Sequence, residues 1–471
     1  DHTTFLSVSL EAMRESRLSS LYAVPVVGGA QRRLGSYLST DPSWSPDGNL
    51  VAFGHDSQMF VGRADGSGER LVANVSGEVH RPHWSPDGSR IRLTVVSPKG
   101  ETALWEVGAN GSRAHAVDFR WTGPPMEGYG HWSADGRYYF FSSARDGISN
   151  LWVVDYGSDW LHRVRVEPVR LTAGPVSFVR PLPSADGSKL FALGTESAGE
   201  LLRYDPAKHD FVQFLKGIGA DQLNFSRDGA WIAFISFPDG TLWRMRLDGS
   251  ERLQLTQPSV HALNPRWSPD GKRILFVARE AGQLPKLFTI SPEGGYPEPV
   301  AADTHAQTSP TWSPGGDSIY FGRDPDGENQ DMFLYRVNVK SGALERLVGS
   351  QDLYAPICSP DGNSLVAQSV TGAHELILFD LRTGQRRVLS DNHADYPDWS
   401  ADSRFVYFNT LMYKQPGLFR VRVADSKIEK IADVPFLSTG SYGVWSGLAP
   451  DGSVLVLRSH VQTDVYALSL R

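Results

Sequence analysis

A seven-residue string of the form P-x-W-S-P-D-G, repeated from one end of the chain to the other, limits the possible folds more than any other feature. It reads Pro42-Ser43-Trp44-Ser45-Pro46-Asp47-Gly48, then Pro82 to Gly88, then Trp132-Ser133-Ala134-Asp135-Gly136. Looser copies run from Pro183 to Gly187 and from Phe225 to Gly229. Trp267 to Gly271 and Trp312 to Gly316 follow, the latter with Gly315 in the Asp place. Cys358 to Gly362, Trp399 to Ser403 and Leu448 to Gly452 complete the series. Measured at the Trp position, the copies lie 40, 48, 51, 42, 42, 45, 46, 41 and 49 residues apart. A period of about 45 residues is that of four-stranded propeller blades.

The residues inside each repeat agree. An apolar strand follows each Asp-Gly, as in Leu50-Val51-Ala52-Phe53, Trp231-Ile232-Ala233-Phe234 and Phe405-Val406-Tyr407-Phe408. A second strand with an early aromatic comes next, as in Leu104-Trp105-Glu106-Val107 and Leu242-Trp243-Arg244-Met245. Asp-Gly supplies the positive φ of a tight turn, and aromatic and β-branched runs suit a half-buried sheet. No stretch longer than about ten residues keeps a 3.6-residue apolar period. The expected fold is all-β: tandem β-propellers of about 10–11 four-stranded blades with almost no helix.

Ten copies exceed the four to eight blades of one ring, so two rings are expected. The first, residues 1–215, begins with an incomplete blade built from Thr4 to Leu10, Leu21 to Val26 and Arg32 to Gly35. The second, residues 216–471, holds about six blades. Its last unit, Leu448 to Leu470, reads as the motif strand and two more, with a strand near Phe211 to Leu215 free to complete the blade. Because the first blade lacks its inner strand, the chain's beginning at Asp1 reads as a cut.

Composition excludes whole classes. A formal net charge of −7 argues against nucleic-acid binding. The single cysteine, Cys358, removes disulfide frameworks and cysteine-based zinc sites, and its place in the Trp slot suggests an apolar substitute. No apolar run is long enough to span a membrane.

The W-S-P-D-G turns resemble the TolB-type family of WD-like propeller repeats over nearly the whole chain. Ser19-Leu21-Tyr22-Ala23-Val24-Pro25 with Gly28-Gly29, Leu171 to Pro175 and Gly240 to Arg252 are further similar to the C-terminal region of bacterial, especially acidobacterial, winged-helix regulators. That resemblance implies an extracytoplasmic, periplasmic sensor domain tethered through an upstream membrane segment. Neither winged helix nor span lies in this chain, so no DNA-binding residue is carried over.

Catalytic fingerprints are missing from the sequence. Gly440-Ser441-Tyr442-Gly443 does not make a G-x-S-x-G elbow, and H-E-x-x-H, P-loop and G-x-G-x-x-G strings are absent. No cofactor is therefore expected. Many peptidases carry a related propeller ahead of an α/β-hydrolase domain, and no hydrolase domain is expected within residues 1–471. Asp324 to Asp331 is an acidic hairpin without EF-hand ligand order. The recurring motif Asp residues, such as Asp47, Asp87 and Asp270, read as turn-formers rather than acids.

Register supplies the candidate site. Three residues before the Trp position stand Asp41, Arg81, Tyr129 and Arg180 in the first ring, and Asn264, Tyr396 and Trp445 in the second. Equivalent register places each set at one channel mouth: a mixed charged rim, then a neutral aromatic one. His80, His83 and His131 lie beside the first set; His261, His305 and His393 also precede motifs, at offsets too scattered to predict a metal. The expected function is a non-enzymatic sensing module that binds a protein, small molecule or oligosaccharide at a propeller face. Two alternatives accompany it: a carbohydrate-active lyase or hydrolase using the His-bearing mouth, and a TolB-like envelope scaffold.

Overall fold

The structure is a computed structural model that describes residues 4–8, 19–27, 29–39, 41–97, 100–119, 121, 126–145, 148–157, 167–258, 260–280, 283–301, 303–323, 332–370, 374–391, 393–411, 416–435 and 445–470. The acidic hairpin Asp324 to Asp331 and the string Gly440 to Gly443 lie outside the described residues. Every described element is a strand or an isolated bridge, in mostly four-stranded antiparallel sheets. No described helix is long and apolar enough to cross a membrane.

Each repeat folds the same way because each turn closes the same way. The motif Ser hydroxyl donates to the motif carboxylate at 2.5–2.6 Å in eight turns, from Ser45–Asp47 to Ser400–Asp402. The same Ser oxygen accepts from the next strand's first N–H, as from Leu50 and Arg273, both at 2.9 Å. Where Gly315 replaces the Asp, Asp317 two residues later takes the Ser313 hydroxyl. The motif Asp residues are thus turn elements; hydrogen bonds from Ser45 and Asn49 hold the Asp47 carboxyl down at about 2.

In three blades the motif Trp ties the blade to the one before. The indole N–H donates to the preceding inner strand's carbonyl: Trp84 to Ser43, Trp312 to Arg266 and Trp399 to Ile357, at 3.0–3.2 Å. Around these rings the core is dry, with Ile274, Phe276 and Ile290 fully buried beside Trp267. Each such apolar side chain contributes roughly 1.5–3 kcal/mol.

Two compact units result: Asp1–Glu196 with Gln462–Arg471, and Ser197–Val461. The sequence alone draws one boundary at 215/216. Two long strands, Lys189–Asp205 and Val454–Ser469, give one part to each unit. The first unit holds a three-stranded sheet (Thr4–Val8, Ser19–Pro25, Arg32–Ser39), then sheets opening at Ser43, Glu78 and Glu127, and a last one using Ser177–Pro183. The second unit holds five four-stranded blades. A sixth is built from Ser446–Leu448, Val454 onward, the end of Lys189–Asp205, and Asp210–Leu215. Its first and sixth inner strands lie side by side, closing the ring. The two strands expected between Ser453 and Leu470 are in fact one.

Candidate functional site

The inner strands share a defect at one register. Pairing with the second strand skips between His80 and His83, Gly128 and His131, Val179 and Leu182, Asp221 and Asn224, and Leu263 and Arg266. It does so again between Thr308 and Thr311, Tyr354 and Ile357, and Asp395 and Asp398. The residue at the skip is left-handed in all eight: Arg81, Tyr129, Arg180, Gln222, Asn264, Ser309, Ala355 and Tyr396, with φ of 47–57°. Such φ values cost a non-glycine residue roughly 1–2 kcal/mol. A bulge bends the strand and re-aims its side chain. Proline follows at Pro82, Pro181, Pro265, Pro310, Pro356 and Pro397, where the ladder already lacks a donor.

In the first unit these bulges gather the expected residues. The Asp41 carboxylate lies 3.6 Å from Arg81 Nε and 3.7 Å from His80 Nδ1, and His80 Nε2 is 3.5 Å from Glu78. Hydrogen bonding to Asp41 raises the His80 pKa; the same contact, with the charges of Arg81 and Arg180, outweighs burial and lowers that of Asp41. The Arg81 guanidinium sits 3.9 Å over the exposed ring of Tyr129, and it feels the Arg180 charge. His83 and His131 meet ring to ring at 4.7 Å. Desolvation, reinforced by His131, pushes His83 down to about 3, so this imidazole is neutral at any physiological pH. His131 is lowered by burial too. The arrangement presents a cationic fork on an aromatic ring, an imidazole paired with a carboxylate, and a buried imidazole pair.

In the second unit, Asn264, Tyr396 and Trp445 also come together, on a rim that is not neutral. The Asn264 N–H donates to Gln222 Oε1 at 2.6 Å, and Tyr396 hydrogen-bonds the Gln222 side chain. Trp445 and Tyr396 pack with Leu223. One residue before the bulge stand Asp221 and Asp395, and two after it Arg266 and Asp398. Burial raises all three carboxyls. Arg266 and Asp398 lie three blades apart and still influence each other, which is possible only across the channel. The sequence reading missed these groups because it followed one register per blade; the neighbouring positions carried the signal.

The other histidines stay apart. His305 pairs with Asp303 at 2.9 Å and His393 stacks near His374 at 5.4 Å. Among the described residues no group of three His, Cys, Asp or Glu can hold a metal ion. Cys358 is part-buried beside a core cluster, and burial pushes its thiol up to about 12.

Residues 222–435 match the TolB beta propeller domain, and the fold is an all-β propeller of that type. The chain is 27% identical over 165 residues to the uncharacterized peptidase YuxL of Bacillus subtilis, covering 33% of this chain and 22% of that protein. It is 31% identical over 203 residues to dipeptidyl aminopeptidase BIII of Pseudoxanthomonas mexicana, covering 41% of this chain and 29% of that protein. It thus spans less than a third of either peptidase's length. An Agrobacterium tumefaciens structure assigned to TolB aligns at TM-score 0.46 and 18% identity, over 56% of this chain and 99% of its own. These relatives correct the expectation of a non-enzyme: proteins named as peptidases share these repeats. A search for catalytic strings could not find that kinship, because it resides in blade turns and strands.

Proposed function

We propose that this chain is the substrate-receiving propeller of a hydrolase-type enzyme, with peptide chains as the substrate class. The observation that carries the reading is the convergence of Asp41, His80, His83 and His131 around the strained bulge residues Arg81 and Tyr129 in the first unit. Arg81, pre-positioned on Tyr129, offers a planar donor fork for backbone carbonyls or a carboxylate, and Arg180 adds positive charge. The His83–His131 pair, with both pKa values lowered by burial, can donate to or accept from peptide groups. The kinship to proteins named as peptidases supports peptide over sugar. Peptidases and a TolB protein stand among the relatives named above and no regulator does, so the sensor expectation is not carried forward. An extracytoplasmic location belongs to the proposal, supported by the TolB-type repeats.

The test is calorimetric titration with N-acetylated, lysine-free peptides of graded length, and with oligouronates of matched length. Peptide binding that weakens about tenfold or more in Arg81→Ala supports the reading, the expected effect of losing a charged hydrogen-bond donor. Oligouronate binding without peptide binding would replace it with a carbohydrate-active enzyme. Binding indifferent to Arg81 and Tyr129 would refute the site.

A further inference from the structure

Asp221 in the second unit is a carboxylate whose surroundings supply no counter-charge. It is 9% exposed, and its Oδ1 has no hydrogen-bond partner among the described residues. Desolvation dominates its behaviour, opposed only by the backbone N–H of Gln222. Arg266, on the next blade, interacts with Asp398 instead. A buried carboxylate without a partner costs several kcal/mol, which a fold retains only where something else uses the group.

The direction of that side chain is fixed by its neighbours. Asp221 is on the first blade's inner strand and Tyr396 on the fifth's, yet Tyr396 feels the Asp221 charge and hydrogen-bonds the Gln222 side chain. Blades that are not adjacent in a closed six-bladed ring meet only over the channel, so Asp221 points into the mouth. Beside it stand the Tyr396 phenol and the Gln222 side chain, which also accepts from the Asn264 N–H, with Asp395 one residue before Tyr396. Asp395 is itself held by the Gln368 amide and feels His374 and His393.

We propose that this mouth is a receptor site for a primary ammonium group, presented by a lysine side chain or a peptide amino terminus. An ammonium carries three donors and no acceptor. Asp221 Oδ1, the Tyr396 oxygen and the remaining lone pair of Gln222 Oε1 supply three acceptors, and the Tyr396 ring adds cation–π attraction. A metal ion suits the mouth less well, since no three His, Cys, Asp or Glu among the described residues gather to ligate one. This site lies in the other unit from the one proposed above and stands without it.

Titration of the whole 471-residue chain tests it, using Nα-acetyl-lysine methylamide, alaninamide and N-acetyl-alaninamide as probes. The first presents only a side-chain ammonium and the second only a terminal one, so their ranking identifies the source. Binding of at least one amine, none of the acetylated control, and an affinity loss of about tenfold or more in Asp221→Asn are expected. Equal binding of the control, no amine binding, or an unchanged Asp221→Asn would overturn the proposal. Should that variant lose its fold, Tyr396→Phe must weaken amine binding in its place. The probes contain no long peptide, so failure here leaves the first-unit reading untouched.

Discussion

Replacing Asp221 by asparagine should change how stability depends on pH more than it changes the fold. The carboxyl titrates near 3.8 in an unfolded chain and is raised to about 7 in the folded one. Below the unfolded value the group is protonated in both states and contributes nothing. As pH rises through the window from about 4 to 7, the unfolded chain gives up the proton first, and stability falls. At 1.36 kcal/mol per pH unit the loss approaches about 4 kcal/mol above neutrality. Asparagine has the same shape, can still accept from the Gln222 N–H and never ionises. The difference in stability between variant and wild type should therefore be near zero at pH 4 and grow to that order by pH 8, a midpoint shift on the order of 5–10 °C. Thermal unfolding followed by circular dichroism across that range measures it, and carboxyls common to both proteins cancel. A difference that stays flat with pH, or a less stable variant, would refute the claim that Asp221 is buried without a partner.

Further outcomes follow from the turns and the thiol. Asp317→Ala should cost about 1 kcal/mol by removing the acceptor of the Ser313 hydroxyl, and Gly315→Asp in the same chain should restore most of it; denaturant unfolding reads both. Ser268→Ala should cost about 1–2 kcal/mol, because one oxygen both donates to Asp270 and accepts from Arg273. Cys358, with a thiol raised to about 12, should resist iodoacetamide at pH 8 while folded and react readily in denaturant.

Much of the fold was legible because the turn chemistry is local. Ser, Asp and Gly within five residues close a turn that needs no distant partner, so the period could be read directly, even where Ser403 stands in for the glycine with a φ of 59°. The shared register of the candidate residues was legible for the same reason, and eight inner strands carry a bulge at that register. Two features were not legible. The expected boundary at 215/216 passes over Lys189–Asp205, which runs unbroken from the first unit into the second because a neighbouring strand supplies ladder partners. The charged character of the second mouth depends on Asp221, Asp395 and Asp398 being drawn inward by bulges, a distortion that periodicity alone does not reveal.

The most direct test of the first-unit site is where a bound peptide lies. An N-acetylated, lysine-free peptide carrying a photo-reactive benzophenone should crosslink to the inner strands Glu78–Trp84 and Glu127–Trp132. The crosslinks should vanish in a chain carrying Arg81→Ala and Tyr129→Ala that unfolds at the wild-type temperature. Capture elsewhere on the chain, or capture that persists in that variant, would contradict a substrate-receiving mouth at these bulges.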